Sequence, residues 1–340
     1  MKKIKQEKRE FYLNRGLKIS RHKRKRIRKN WSPRFVASLP EKYKNPKFKT
    51  IYAPTHLTLK YEDVSKVLSF IKKVSKKGKR GFFINLKLEH VEKIAEGAIS
   101  MLLSIVSDLE KKNNIYFKGG KPIFEKPRDI LERSGFFNHM NGVVSAKNKT
   151  TKNKILKTGT NDTHQRSIVP EIHKAMETVW GNLARCPMLF GGIAEMLRNS
   201  CDHAFMNEKN IIWHLGISHF EDQNTVKFSF VDNGEGIIKT YNSKGFLKEI
   251  LSFFSNNAEV LETAFKDGMK SRTGLPWRGK GLPTIFEMYK EGIVTNLVVI
   301  TNDVYLDFDR NIFEPISVSF SGTYYFWKID TSCKPHYFPI

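Results

Sequence analysis

The chain has 340 residues, an apolar fraction of 40% and a formal net charge of +25. That length accommodates two modules with real cores, and that charge points to a polyanionic partner. Three cysteines without pattern, Cys186, Cys201 and Cys333, exclude a disulfide scaffold and a cysteine zinc site, and indicate a reducing, cytoplasmic compartment.

Residues 1–48 form a basic tail with almost no apolar periodicity. Residues 1–30 hold fourteen Lys or Arg against Glu7 and Glu10, densest at Arg21-His22-Lys23-Arg24-Lys25-Arg26. No apolar run follows this start, so it is not a signal peptide. Like-charged blocks are usually solvated and flexible. The alternative is an arm, residues 1–35, that tracks the phosphates of DNA or RNA, with Phe11, Tyr12 and Trp31 available to stack on bases. The longest near-apolar stretch, around Ala98 to Val106, is too short to span a bilayer, and no membrane partner is expected.

Residues 49–143 alternate strand and helix signals. Thr50 to Lys60 has strand alternation, and Tyr61 to Val74 has helical spacing. Gly81 to Leu88 reads as a buried strand. Ala95 to Lys112 reads as a helix with Ile99, Leu102, Leu103, Val106 and Leu109 on one stripe. Ile115-Tyr116-Phe117 is a further strand, and Pro127 to Phe136 a short helix. The rhythm implies a small α/β sandwich. With the ending Leu131-Glu132-Arg133-Ser134-Gly135-Phe136, it resembles the STAS domains. That family carries a phosphorylatable Ser after an Asp at the start of its central helix. The matching stretch here, Lys93-Ile94-Ala95-Glu96-Gly97-Ala98, has neither. The resemblance therefore implies a scaffold or docking module for a protein partner rather than a phosphorylation switch. Residues 144–165 are polar, basic and rich in Thr and Asn, which is linker composition.

The remainder, residues 166–340, opens with a helix over Pro170 to Asn182 and a second over about Met188 to Phe205. On the second, Ile193, Leu197, Ser200 and Ala204 share the face that packs on a sheet. Glu195, Asn199, Asp202 and His203 share the other. A carboxylate and a carboxamide one turn apart suit a water and a hard cation. Ile211 to Phe220 and Thr225 to Val231 are antiparallel strands joined at Glu221-Asp222-Gln223-Asn224. The second runs into Asp232-Asn233-Gly234-Glu235-Gly236, a turn that also suits an acceptor for an exocyclic amine with glycines that admit a flat base. Gly268 to Gly281 is a loop, and Pro283 suits the first turn of the helix after it. Such a junction binds phosphate through orphan N–H groups. Leu297–Ile300, Val304–Phe308, Ile316–Phe320 and Tyr324–Ile329 read as four strands of one mixed or antiparallel sheet.

Glu195-Met196-Leu197-Arg198-Asn199, Asp232-Asn233-Gly234-Glu235-Gly236, Arg278-Gly279-Lys280-Gly281 and Ser321-Gly322-Thr323 occur in the order found in the GHKL (Bergerat-fold, histidine-kinase-like) ATPases, which residues 166–340 resemble. The resemblance implies a two-layer α/β sandwich with a mixed sheet that binds ATP and Mg²⁺. Carried over, Glu195 is the base, Asn199 the Mg²⁺ ligand and Asp232 the partner of the adenine amine. Gly234 and Gly236 line the base, Asp202 is a further pocket position, Gly279, Lys280 and Gly281 belong to a phosphate lid, and Thr323 assists Asp232. Pro283 directly after the lid departs from the pattern.

Three activities follow from the resemblance. One is an ATPase, a hydrolase yielding ADP and phosphate, whose lid closure switches a surface such as a homodimer interface in a bacterial regulatory or antiphage-defence system. The second is a serine/threonine kinase of the anti-sigma-factor type. The third is a nucleic-acid-binding protein whose pocket senses nucleotide without hydrolysing it. A histidine autokinase is disfavoured, because His173 sits too close to the pocket to be its acceptor.

Overall fold

The computed structural model describes residues 48–78, 83–113, 115, 117–136, 153–157, 165–206, 212–243, 254–268, 281–335 and 338–339. The basic tail through residue 47, most of the 144–165 segment and residues 269–280 lie outside the described residues. The protein is mixed α/β, with both parallel and antiparallel sheets. No described helix is long and apolar enough to cross a membrane.

Strands β1 (Phe48–Tyr52), β3 (Phe83–Lys87) and β5 (Phe117–Gly119) make a parallel sheet in that order. Helices α1 (Tyr61–Gly78) and α2 (Glu96–Asn113) connect them, and α3 (Glu125–Arg133) follows. The strand expected over Thr50–Lys60 stops at Tyr52 and resumes as β2 (His56–Leu57), which pairs with β4 (Lys93–Ile94). Pro54 explains the break, since it cannot donate to a ladder. Helix α1 forms because Val64, Val67, Leu68, Ile71 and Val74 fall on one buried stripe. Its Glu62 and Asp63 lie in the first turn and Lys76 and Lys77 in the last, matching the helix dipole.

The second sheet has the order β10-β11-β9-β8-β6. Its strands are β6 (Lys154–Lys157), β8 (Trp213–Phe220), β9 (Thr225–Asp232), β10 (Thr295–Asp307) and β11 (Ile312–Ile329). Every pairing in it is antiparallel, so the mixed sheet expected from the resemblance is corrected. Strand β6 lies inside the segment read as linker. Its Ile155 is buried, but four residues with one inward apolar position give little signal in a basic, polar stretch. The four C-terminal strands merge into two long ones. Strand β10 runs through a bulge at Asn302 (φ 52°), which reverses the parity of the faces. Before it Leu297 and Val299 face one core; after it Val304 and Leu306 do.

That core lies under α4 (Gln165–Trp180), α5 (Pro187–Met206), α7 (Asn257–Lys266) and α8 (Gly281–Lys290). Trp213, Phe228, Phe230 and Trp327 line the sheet side, with the Phe228 and Trp327 rings stacked at 5.2 Å. Helix α6 (Ile237–Ser243) follows β9, and β7 (Ala184–Arg185) pairs with β12 (Phe338–Pro339).

The opposite face of the same sheet is also covered. Helices α1 and α2 pack on it, and Val231, Ile300, Tyr305, Phe320 and Tyr324 belong to one core with Ile51, Ile84 and Leu102. Ser229 donates its hydroxyl to Ser100 at 2.8 Å, Lys227 pairs with Glu96 at 3.6 Å, and Arg310 with Glu62 at 2.6 Å. The five-stranded sheet is therefore a middle layer of the molecule: the helices of residues 166–340 cover one face, and α1 and α2 of the N-terminal module cover the other. Strand β9 shows why: Phe228 and Phe230 alternate with Ser229 and Val231, and both sets are buried.

The start of α2 is the closest approach. A Cβ on Gly97 would lie 2.0 Å from the Tyr324 hydroxyl. Gly97→Val is expected to cost about 1–3 kcal/mol by overpacking, read as a lower urea midpoint. Gly191→Ala, where nothing lies within 4 Å of the added carbon, is the control, its midpoint expected to hold or to rise by the helix propensity of Ala. Equal midpoints for the two variants would refute this docking.

Candidate functional site

Asp232 ends β9, opposite Thr323 of β11 and Trp213 of β8. It is 7% exposed. Its Oδ1 accepts the N–H of Gly234 at 2.9 Å and that of Thr323 at 3.3 Å, and its Oδ2 accepts the Ser200 hydroxyl at 3.0 Å. Burial is the main influence on this carboxyl and pushes its pKa up, while the bonds from Gly234, Ser200 and Thr323 pull it back. A buried carboxylate aligned by backbone donors is a preorganised acceptor.

The turn after Asp232 is clamped from β10. Ile237 donates its N–H to Thr301 Oγ1 at 2.9 Å, and the Thr301 hydroxyl donates to the Gly322 carbonyl at 3.0 Å. Asn302 accepts the Lys239 N–H at 3.1 Å and donates its amide to the Glu235 carbonyl at 2.8 Å. Gly236 has φ 86°, and a Cβ there would lie 2.5 Å from Asn302 Oδ1. The second glycine of the Asp-led turn is thus required both by conformation and by space.

Helix α5 supplies the other wall. Its apolar residues Ile193, Met196 and Leu197 are buried, and Glu195 and Asn199 lie one turn apart on its less buried side. Arg198 donates to the Glu195 carboxylate across one turn. Gly281, the first residue of α8, approaches this pair closely. A Cβ added there would lie 2.9 Å from Glu195 Oε2 and 3.2 Å from Asn199 Oδ1. Deeper along the two helices, Gly192 lets α5 meet Met288 of α8.

Four segments far apart in sequence are thereby joined. Ser200 ties α5 to Asp232, Thr323 ties β11 to Asp232, and Gly281 brings α8 to Glu195 and Asn199. Gly234 and Gly236 are in place beside Asp232. Asp202 lies on α5, with its side chain outside the described set, and Gly279 and Lys280 fall outside the described residues altogether. A separate groove of 450 Å³, between Pro187, Met188, Gly191, Pro283, Thr284 and Glu287, follows the α5–α8 seam and includes none of Glu195, Asn199 or Asp232.

Sequence reasoning missed Ser200, Arg198, Thr301 and Asn302 as site residues. Ser200 had a readable signal, a hydroxyl on the apolar face of α5, which burial obliges to find a partner. Asn302 had none, because the bulge that aims it is a property of pairing.

No group of three or more His, Cys, Asp or Glu among the described residues could hold a metal by itself. Asn199 offers a single carbonyl oxygen. That donor set fits a Mg²⁺ completed by phosphate oxygens and water, a cation that enters with its ligand. Comparisons with protein-family models, curated proteins and solved structures found no match.

Proposed function

We propose that residues 166–340 form a Bergerat-type pocket for ATP and Mg²⁺, and that the protein is an ATPase acting as a nucleotide-driven switch. The observation that carries this reading is the convergence of Asp232, Ser200 and Thr323 on one side with Glu195, Asn199 and Gly281 on the other. Asp232 would receive the adenine amine. Asn199 would hold Mg²⁺, which when bound neutralises phosphate charge. Glu195 would orient and deprotonate the attacking water, with Arg198 holding its carboxylate until the site fills. The N-terminus of α8 would turn the N–H groups of Gly281 and Leu282 towards phosphate, Pro283 having none. Residues 279–280 would complete a lid.

The STAS-like reading of the N-terminal module is supported by its β-α-β-α-β order and parallel sheet. Its helical face is spent on the five-stranded sheet, so a protein partner would use another surface. The cytoplasmic setting, a homodimer and a regulatory or antiphage-defence role belong to the same proposal.

Purified protein given labelled ATP tests the reading directly. Free phosphate identifies the ATPase, labelled protein the serine/threonine kinase, and retained nucleotide without either product a sensor. No bound nucleotide at millimolar ATP would overturn all three. Within the ATPase reading, Gly281→Ala pushes on the Glu195 carboxylate, which must yield by a few tenths of an ångström. Turnover is expected to fall about tenfold or more, with nucleotide affinity changed far less. Equal losses in both would place Gly281 in ground-state binding instead.

A further inference from the structure

The carboxylate of Glu195 is approached from two sides at one atom. Its Oε2 accepts a hydrogen bond from Arg198, one turn further along α5. The same oxygen is the atom nearest the first residue of α8, since a Cβ on Gly281 would lie 2.9 Å from it. Asn199 Oδ1 is 3.2 Å from that Cβ position. The Arg198 guanidinium therefore lies beside Glu195 and the start of α8, the end of a helix that suits phosphate. The pair is unevenly buried, with the Glu195 side chain 18% exposed and that of Arg198 50%.

This contact has two chemical consequences. The guanidinium occupies the carboxylate oxygen that faces α8, where an attacking water would have to be held. The contact is also easily exchanged. An ion pair across one helical turn with a half-exposed arginine adds little to stability. A terminal phosphate carries more charge than a carboxylate and offers three acceptor oxygens to the flat donor fork of an arginine. Lys239 stands at the other end of the site. Its N–H is clamped by Asn302 beside the Asp232 turn, and its ammonium faces Glu235 at 3.8 Å. Along the axis of α5, Glu195 is ~7.5 Å from Ser200, the residue bonded to Asp232. A nucleotide with its base at Asp232 would thus bring its phosphates towards Arg198.

Resting on the nucleotide reading above, we propose that Arg198 senses the third phosphate of ATP, leaving Glu195 for the terminal phosphate and so freeing Glu195 to act as base. ADP lacks that phosphate and leaves the pair closed. In the step that follows, the water oxygen bonds to the terminal phosphorus as the bond from that phosphorus to the bridging oxygen breaks. The water proton passes to Glu195, and ADP departs with the bridging oxygen. Without Arg198 the Glu195 carboxylate would meet the terminal phosphate as one negative charge against another. The preference of the site for ATP over ADP therefore runs through this side chain.

Calorimetry on the full chain with Mg²⁺, using ADP and the β,γ-imido analogue of ATP, reads that preference without turnover. Arg198→Met keeps the length and helix propensity of the side chain and removes its charge. It is expected to weaken the analogue about tenfold, the equivalent of ~1.4 kcal/mol, and to leave ADP unchanged. Arg198→Lys should recover part of the loss, because an ammonium still pairs with phosphate as a point charge. The melting temperature should not move, because the pair is half exposed. Arg198→Met with the parental preference, or with an equal loss for both ligands, would overturn the proposal and leave the nucleotide reading standing. A parent chain that binds neither ligand at millimolar concentration would remove both.

Discussion

Asp232→Asn is expected to remove nucleotide binding without lowering the melting temperature. Hydrogen bonds to a charged acceptor contribute about 1.5–3 kcal/mol; the substitution removes that charge, while the Asn carbonyl still accepts the N–H groups of Gly234 and Thr323 and Ser200 keeps the Met196 carbonyl, 3.0 Å away, as an acceptor. Affinity for a non-hydrolysable ATP analogue, measured by calorimetry, should fall by about a hundredfold or more. Stability should respond in the opposite sense. Burial raises the Asp232 pKa in the folded chain. An acid with a raised folded pKa favours folding most below its unfolded pKa and loses that favour as pH rises through the folded value. Wherever Asp232 is ionised it is therefore a cost to the fold, and a neutral isostere relieves it. Lost binding with stability held or raised marks a group kept for a ligand. A lower melting temperature together with intact binding would show that Asp232 is structural.

Glu195→Ala should give the complementary result, with nucleotide bound and turnover stopped. Removing a positioned general base costs about 10²–10⁴ in rate. Glu195 lies on α5 beside Gly281 and is held by Arg198, while Asp232 of β9 is tied to the same helix through Ser200. Phosphate release is the readout for Glu195 and calorimetry the control. Full turnover in Glu195→Ala would remove it from the chemistry.

The sequence made some of this architecture readable and concealed the rest. Helices α1, α2 and α5 declared themselves because their apolar residues repeat at helical spacing. Asp232, Gly236 and Glu195 stood out only in combination, because an Asp ahead of a Gly-x-Gly turn and an acid and amide one turn apart are each common alone and gain meaning from their order along the chain. Helix α7 was missed although Asn256 and Glu259 form its cap: Asn256 accepts the N–H groups of Ala258 and Glu259, and Glu259 accepts that of Ser255. Strand β6 hid in a polar stretch. The site residues that were missed act through tertiary partners. Thr301 and Asn302 are ordinary strand residues until the bulge in β10 turns them towards the Asp232 loop. The covered rear of the sheet was also invisible, because β9 and β11 look alike whether their second face meets solvent or another module.

That doubly covered sheet makes residues 166–340 non-portable. A cut near residue 150, where composition invites one, would strip α1 and α2 from Val231, Ile300, Tyr305, Phe320 and Tyr324 and leave a greasy plane facing water. It would do so directly behind Asp232 and Thr323, whose strands carry Ser229 and Tyr324 on the reverse side. Front and back of those two strands are the same backbone, so whatever seats itself at Asp232 also leans on α2, with no hinge between.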